Sequence, residues 1–119
     1  MTAPYITQHH IKGIGNGAVQ LTINEADNEV LVVLNGTQIA LLQLHTGNQN
    51  YSENIAQNLK PGEPNVLCIT LANYMGAHGN SPAVIQGVLA VQGHEYSIGY
   101  SNQSASQGVK AQITFLLEK

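Results

Sequence analysis

The chain has few charged residues, and this excludes several classes of partner. Its 119 residues include four lysines, no arginine, one aspartate and six glutamates, so that charged residues make up 9% of the sequence and the formal net charge is −3. Because phosphate recognition depends on clustered lysine and arginine, we expect no nucleic-acid partner. The single cysteine, Cys68, excludes an internal disulfide framework and a cysteine-based zinc cluster.

Long apolar runs are also missing from the sequence. No segment approaches the roughly 18 apolar residues that a membrane-spanning helix requires, and residues 1–5 lack the basic region and apolar run of a signal peptide. We therefore expect no membrane insertion. The expected location is cytoplasmic as synthesised, or outside the cell after export without a classical signal peptide.

Amides supply most of the polarity. The sequence contains 12 asparagines and 11 glutamines beside 43% hydrophobic residues. A chain of this length forms one domain around one modest core, so we expect a single domain over residues 1–119. Stability must then come from apolar packing and backbone pairing, because disulfides are excluded.

The apolar residues recur with the period of β-strands in the first third of the chain. Residues 18–24 (AVQLTIN) alternate between apolar and polar side chains, which predicts a half-buried strand that ends in a polar turn at 25–28. Two apolar runs, EVLVVL and TQIALLQL, flank Asn35-Gly36. This pair predicts a tight hairpin, because both turn residues tolerate positive φ.

Residues 45–119 consist of further predicted strands separated by polar stretches and turns. A polar stretch over 45–58 holds at most a doubtful strand near 52–58, a proline-glycine turn follows at 60–64, and 73–82 has the composition of a loop. Strands are predicted near 5–11, at the edge of a sheet, and over 66–72, 83–91, 95–101 and 109–117. About eight strands and no helical period predict an all-β fold, an antiparallel β-sandwich of the jelly-roll type.

Two motifs follow each other between residues 32 and 74. Asn35-Gly36 ends one apolar run, and Leu59-Lys60-Pro61-Gly62-Glu63, with Pro64 inserted, leads through Asn65-Val66-Leu67 to Asn73. In this order the segment resembles the galactose-binding-like jelly-roll module found beside many glycoside hydrolase catalytic domains and in several small lectins. The match covers about a third of the chain. The resemblance implies a β-sandwich that binds a sugar, and modules of this kind often carry a calcium ion.

Recognition in a β-sandwich usually lies in loops at one end of the sheets. Two predicted loops are rich in side chains that hydrogen-bond hydroxyl groups, and amides suit a neutral polyol because they avoid the desolvation cost of a charge. Turn geometry and solubility are the alternative reason for these residues. The candidate ligand-binding residues are His45, Asn48, Asn50, Tyr51, Asn73, Tyr74, His78 and Asn80.

Other candidate sites have simpler explanations. Glu25, Asp27 and Glu29 offer oxygen ligands of the kind that calcium prefers, although their spacing is not that of an EF-hand loop and a solvated turn is the alternative. Tyr96 and Tyr100 share one strand face, which favours packing over ligand stacking. No paired carboxylates or activated nucleophile are apparent, so we expect no enzyme activity.

Two hypotheses of function follow. The first is a non-catalytic, lectin-like protein that recognises a neutral sugar through its polar loops, with carbohydrate as its partner. The second is a structural or assembly subunit of an oligomeric complex, such as a phage particle or toxin complex, because the apolar runs at 30–34, 39–44 and 83–91 exceed what one buried sheet face requires. Both hypotheses predict a homo-oligomer.

Overall fold

A computed structural model describes residues 3–44, 50–74 and 80–119. Within these ranges the chain forms nine strands and one short 3₁₀ turn at Ala56–Asn58. No helix in the described ranges is long and apolar enough to cross a membrane. The strands are β1 (Tyr5–Ile11), β2 (Val19–Asp27), β3 (Glu29–Leu34), β4 (Thr37–Leu42), β5 (Tyr51–Asn54), β6 (Asn65–Asn73), β7 (Ser81–Val91), β8 (His94–Ala105) and β9 (Gly108–Leu117).

The strands form two sheets, which confirms the predicted β-sandwich. One sheet has the order β1-β9-β6-β3-β4 and the other the order β5-β2-β7-β8. All pairings are antiparallel except that of β1 with β9. The β3–β4 and β7–β8 hairpins each stay within one sheet, whereas the other connections cross between the sheets as in a jelly roll.

The core lies between the sheets and follows the period of two that the sequence shows. Along β2, β3 and β6 every second residue is buried, and Phe115 on β9 is fully buried among them. Tyr96 and Tyr100 pack against this core from β8, which confirms the packing explanation for both. The hairpin at Asn35-Gly36 is also confirmed, since both residues have positive φ.

Two boundaries differ from the prediction. The turn expected at 25–28 is strand as far as Asp27, because a bulge between Ile23 and Glu25 absorbs one residue and returns Ala26 to the core. Opposite this bulge, a Cβ added to Gly87 would lie 3.0 Å from the Ile23 Cα, so glycine gives the bulged strand room. β8 continues through Ala105, four residues beyond its predicted end, because it pairs with β7 along most of its length.

The polar stretch before residue 59 contains more structure than its composition indicates. Tyr51–Asn54 forms a short edge strand on β2, and the buried side chains of Ile55 and Leu59 join the core on either side of the 3₁₀ turn. Two apolar residues four positions apart therefore anchor this connection. They were missed because neither belongs to an apolar run.

The connections divide the sandwich into two ends. The turn end carries Asn35-Gly36, Gln92-Gly93 and the Lys60–Pro64 turn. The loop end carries the β2–β3, β4–β5, β6–β7 and β8–β9 connections, together with the start of β1. The two loops predicted to bind a ligand both belong to the loop end.

Candidate binding site

The two predicted recognition loops leave the sandwich beside the β2–β3 connection. The amide of Leu44, after β4, donates to the carbonyl of Ala26 at 3.0 Å. The amide of Tyr74, after β6, donates to Asn28 Oδ1 at 2.7 Å. The residues that precede both loops therefore lie beside residues 26–28, at the same end of the sandwich.

The eight predicted ligand-binding residues fall into three groups. His45, Asn48 and His78 lie outside the described residues. Asn50, Tyr74 and Asn80 are exposed at the loop end. The other two, Tyr51 and Asn73, are tied into the sandwich, and each has a structural role.

Asn73 is fully buried, which corrects its place among the predicted ligand contacts. Its Nδ2 donates to the carbonyls of Ala105 at 3.0 Å, Ser106 at 3.2 Å and Ser81 at 3.4 Å. Its Oδ1 accepts from the Ser81 hydroxyl at 3.2 Å. The amide is therefore used within the protein, where it joins β6 to β7 and to the β8–β9 connection.

Tyr51 and Tyr74 both have a raised phenol pKa, with different leading causes. Desolvation by burial, followed by the hydrogen bond and charge of Glu53, raises the pKa of Tyr51 to about 12, and its hydroxyl donates to Glu53 Oε2 at 3.0 Å. For Tyr74 the leading cause of the raised pKa is a hydrogen bond to the carboxylate of Glu29. Tyr74 thus stands exposed at the loop end, and Glu29 is near enough to raise its pKa.

A polar cleft opens at the loop end between the edge strands of the two sheets. It has a volume of about 200 Å³ and lies between the start of β1 and the end of β8. The rings of Tyr5 and Tyr100, one from each sheet, approach to 5.8 Å between centroids beside it. The cleft is lined by Ala3, Pro4, Asn80, Tyr100, Asn102, Ser104, Ser106, Val109 and Lys110.

The register of β8 explains which of its side chains reach the cleft. Successive residues of a strand face opposite sides, so Tyr100 and Asn102 share the face that Ile98 turns toward the core. The register with β7 shifts after Asn102 and returns Ala105 to the core, and Ser104, within this irregular stretch, also lines the cleft. Alternation along β8 and the register shift near its end therefore both determine which residues line the cleft.

Several polar groups of the cleft have no partner within the described part of the chain. The Asn102 Oδ1 accepts from the amide of Ser104 at 3.0 Å, but its Nδ2 makes no protein hydrogen bond. The hydroxyls of Tyr100 and Ser104 are likewise without a protein partner among the described residues. The Asn80 amide, which donates to the Ser104 carbonyl at 3.4 Å, retains its Oδ1 for a ligand.

The predicted oxygen ligands for calcium are not brought together. Glu25 and Asp27 lie on β2 opposite Gln86 and Val84, whereas Glu29 begins β3 in the other sheet opposite Ala72. In residues 3–44, 50–74 and 80–119 no group of three acidic, histidine or cysteine side chains could hold a metal ion. The sheet change at Asn28 separates residues that are adjacent in sequence.

No known family model, curated protein or solved structure matches the chain. The site is therefore described by its own residues. Of these, the sequence predicted Asn80 and missed Tyr100, Asn102, Ser104, Ser106 and Lys110. The available signal was the alternation of Tyr100 and Asn102 with Ile98, which indicates one face of a strand but does not show where that face meets solvent or where the register shifts.

Proposed function

We propose that the protein binds a carbohydrate, without catalysis, in the cleft at its loop end. The observation that carries the proposal is a set of neutral groups that line the cleft without a partner among the described residues: the Tyr100 hydroxyl, the Asn102 Nδ2 and the Ser104 hydroxyl. Sugar hydroxyls both donate and accept hydrogen bonds, and these groups offer both roles without a charge to desolvate. The resemblance of residues 32–74 to galactose-binding-like modules supports the same ligand class.

The size of the cleft favours a short ligand. Pockets for drug-sized ligands typically have volumes of roughly 300–1,000 Å³, and this cleft has about 200 Å³. A single terminal sugar residue suits it better than an extended chain does. The exposed Tyr74 and Asn50 stand at the same end of the sandwich, where further sugar residues could contact them.

The test is binding to a glycan array, followed by titration of the best glycan into the protein under NMR observation. We expect the double variant Asn102→Ala/Ser104→Ala to lose binding by at least about tenfold, since each lost hydrogen bond to a sugar contributes about 1 kcal/mol. Gln103→Ala is the matched control, because Gln103 lies between them on β8 and points to the opposite face. The proposal fails if no glycan binds, or if the double variant binds as the wild type does.

A second function, self-assembly, is favoured by the outer face of the five-stranded sheet. Ile6, Leu41 and Val66 are 65%, 53% and 42% exposed on this face, and the apolar side chains of Leu31 and Leu116 lie half-buried among them. Strand spacings of about 4.8 Å and rises of about 3.4 Å per residue give this face roughly 20 Å by 20 Å. Several exposed apolar side chains on one uncharged face of this size suit an interaction surface.

The occupant we propose for this face is a second copy of the chain. The central positions of the outer face are occupied by uncharged residues such as Thr70, Gln112 and Thr114, so two copies related by a two-fold axis would bring no like charges together. Charge appears at the margins, at Glu29 on one side and at the contact of His10 with Glu118 on the other.

Light scattering at micromolar concentration tests this second function. We expect a dimer that Leu41→Lys/Val66→Lys converts to a monomer, because two buried lysines without partners would oppose association. Gln86→Lys, at an exposed position on the outer face of the other sheet, is expected to leave the dimer intact. A monomeric wild type excludes the assembly function and leaves the carbohydrate proposal unaffected.

A further inference from the structure

Lys110 introduces a charge into a cleft whose other lining residues are neutral. The residue is 8% exposed and lies on β9, next to the bulge that pairs Ala72 with Val109 and Leu71 with Ala111. Its Nζ donates to the Ser106 hydroxyl at 2.8 Å. Among the described residues it forms no salt bridge with a carboxylate.

A buried lysine side chain whose ammonium has a single, neutral partner among the described residues is unusual. Burial of a charge is costly unless the charge is paired, and lysine is almost never fully buried without a partner. The ammonium has three protons, of which the hydroxyl of Ser106 accepts one. Because Lys110 lines the cleft, the other two ammonium protons are available to a ligand bound there.

We propose that the ligand of this cleft carries an anionic group, a carboxylate or a sulfate, which pairs with the Lys110 ammonium. This inference rests on the proposed carbohydrate function and specifies its ligand class as an acidic sugar. The anion would supply the counter-charge that the described residues do not, while Asn102, Ser104 and Tyr100 would contact the hydroxyl groups of the same sugar residue. No aspartate or glutamate lines the cleft to repel such a ligand.

The bulge on β9 gives a structural reason why Lys110 faces the cleft. In regular alternation Lys110 would share the outer face with Gln112 and Thr114, because residues two apart lie on the same side of a strand. The register shift between Leu71 and Ala72 places both Lys110 and Ala111 on the buried side. Lys110 thereby reaches the Ser106 side chain on the β8–β9 connection.

Matched pairs of sugars test the inference. We would titrate the protein with glucose, glucuronic acid and glucose 6-sulfate, and with the galactose counterparts, at low and at high salt. In at least one pair we expect the acidic sugar to bind at least about tenfold more tightly than its neutral counterpart, because charge-assisted hydrogen bonds are roughly twice as strong as neutral ones. The acidic sugar that binds identifies whether carboxylate or sulfate is preferred, and added salt should reduce the preference.

The variant Lys110→Met tests whether the charge of Lys110 causes the preference for acidic sugars. Methionine keeps much of the apolar stem and removes the charge. We expect this variant to bind acidic and neutral sugars equally, whereas Lys12→Met, which removes an exposed lysine, should keep the preference. Thermal unfolding reports whether Lys110→Met is folded, and the wild-type preference stands as a test even if it is not. Equal wild-type binding of acidic and neutral sugars overturns the inference and leaves the carbohydrate function intact, whereas no sugar binding at all overturns both.

Discussion

A buried asparagine stands at each end of β6, Asn65 at the turn end and Asn73 at the loop end. Both hydrogen-bond backbone groups of neighbouring connections, but the connections that they hold are different. At the turn end, Asn65 Oδ1 accepts from the Lys60 amide at 2.8 Å, and its Nδ2 donates to the carbonyls of Lys60 and Leu117. At the loop end, Asn73 bonds the carbonyls of Ala105 and Ser106. Both asparagines are essentially inaccessible to solvent, so both stabilise the connections around β6.

The difference lies in what these asparagines hold. Asn65 closes a compact turn and also accepts from Asn35 Nδ2 at 2.8 Å, which ties the Lys60–Pro64 turn to the β3–β4 hairpin. Asn73 holds the connection that bears Ser106, and therefore one wall of the cleft. The comparison teaches that a buried asparagine joins a turn to a hairpin at one end of the sandwich, whereas at the other end it holds a connection that lines the cleft.

The largest effect is expected from Asn65→Ala. The substitution leaves the Lys60 amide and the Lys60 and Leu117 carbonyls without their partner, and each unsatisfied buried group costs about 1–3 kcal/mol. We expect the free energy of unfolding in urea to fall by about 3 kcal/mol. The exposed Asn58 provides a control, since Asn58→Ala should change it by less than about 0.5 kcal/mol. A similar change in both variants would contradict the role of Asn65.

Asn73→Ala is expected to destabilise the protein less and to affect the cleft more. Its four hydrogen bonds are 3.0–3.4 Å long, against 2.8–3.0 Å for those of Asn65, so we expect a fall of about 2 kcal/mol in the free energy of unfolding. Chemical shifts of the Ser104 and Ser106 amides should change in this variant and stay the same in Asn65→Ala. If the Ser104 and Ser106 amides shifted equally in the two variants, Asn73 would have no more influence on the cleft than Asn65 has.

Gly36→Ala is expected to destabilise the turn end by less than Asn65→Ala does. Gly36 has a φ of +80°, which an alanine adopts at a cost of about 1 kcal/mol. We expect the free energy of unfolding in urea to fall by that amount. The chemical shifts of the Ser104 and Ser106 amides at the cleft should not change. Gly99→Ala is the matched control, because no atom lies within 4 Å of its added Cβ and its φ is not in the left-handed region. A larger loss for Gly99→Ala would contradict the explanation by φ.

The smallest effect concerns Tyr51, at the loop end, and appears at alkaline pH. Its pKa is raised to about 12 in the folded protein from an ordinary value of 10, so folding favours the protonated phenol. The resulting stability is present below about pH 10 and is lost as the pH rises toward 12. We expect Tyr51→Phe to lack this loss when the free energy of unfolding is followed across the range.

Tyrosinate absorbance gives an independent check on Tyr51. The wild type should show one tyrosine that ionises later than in Glu53→Gln, since that substitution removes the negative charge beside the phenol. Parallel loss of stability in the wild type and Tyr51→Phe would mean that Tyr51 does not contribute.

Much of the fold could be predicted from local patterns. Alternation identified β2, β6, β7 and β9, and Asn35-Gly36 identified the hairpin, because strand period and turn chemistry depend on neighbouring residues. The bulge in β2 and the length of β8 could not be predicted, since both result from pairing with β7. Of the predicted ligand-binding residues, Asn80 lines the cleft. Asn73 was assigned to the surface although it is buried, since a buried asparagine and a loop asparagine look alike in sequence.

The sequence by itself determined that this protein is all-β, with amide polarity and few charges. Only the tertiary structure decided which side-chain amides are buried and hydrogen-bond the backbone, and which polar groups have no partner among the described residues. The physical reason is that a hydrogen bond such as that of Asn73 with Ala105 joins residues far apart in the chain. The cleft likewise exists because two edge strands, β1 and β8, meet beside Lys110, and strand period alone does not specify that meeting.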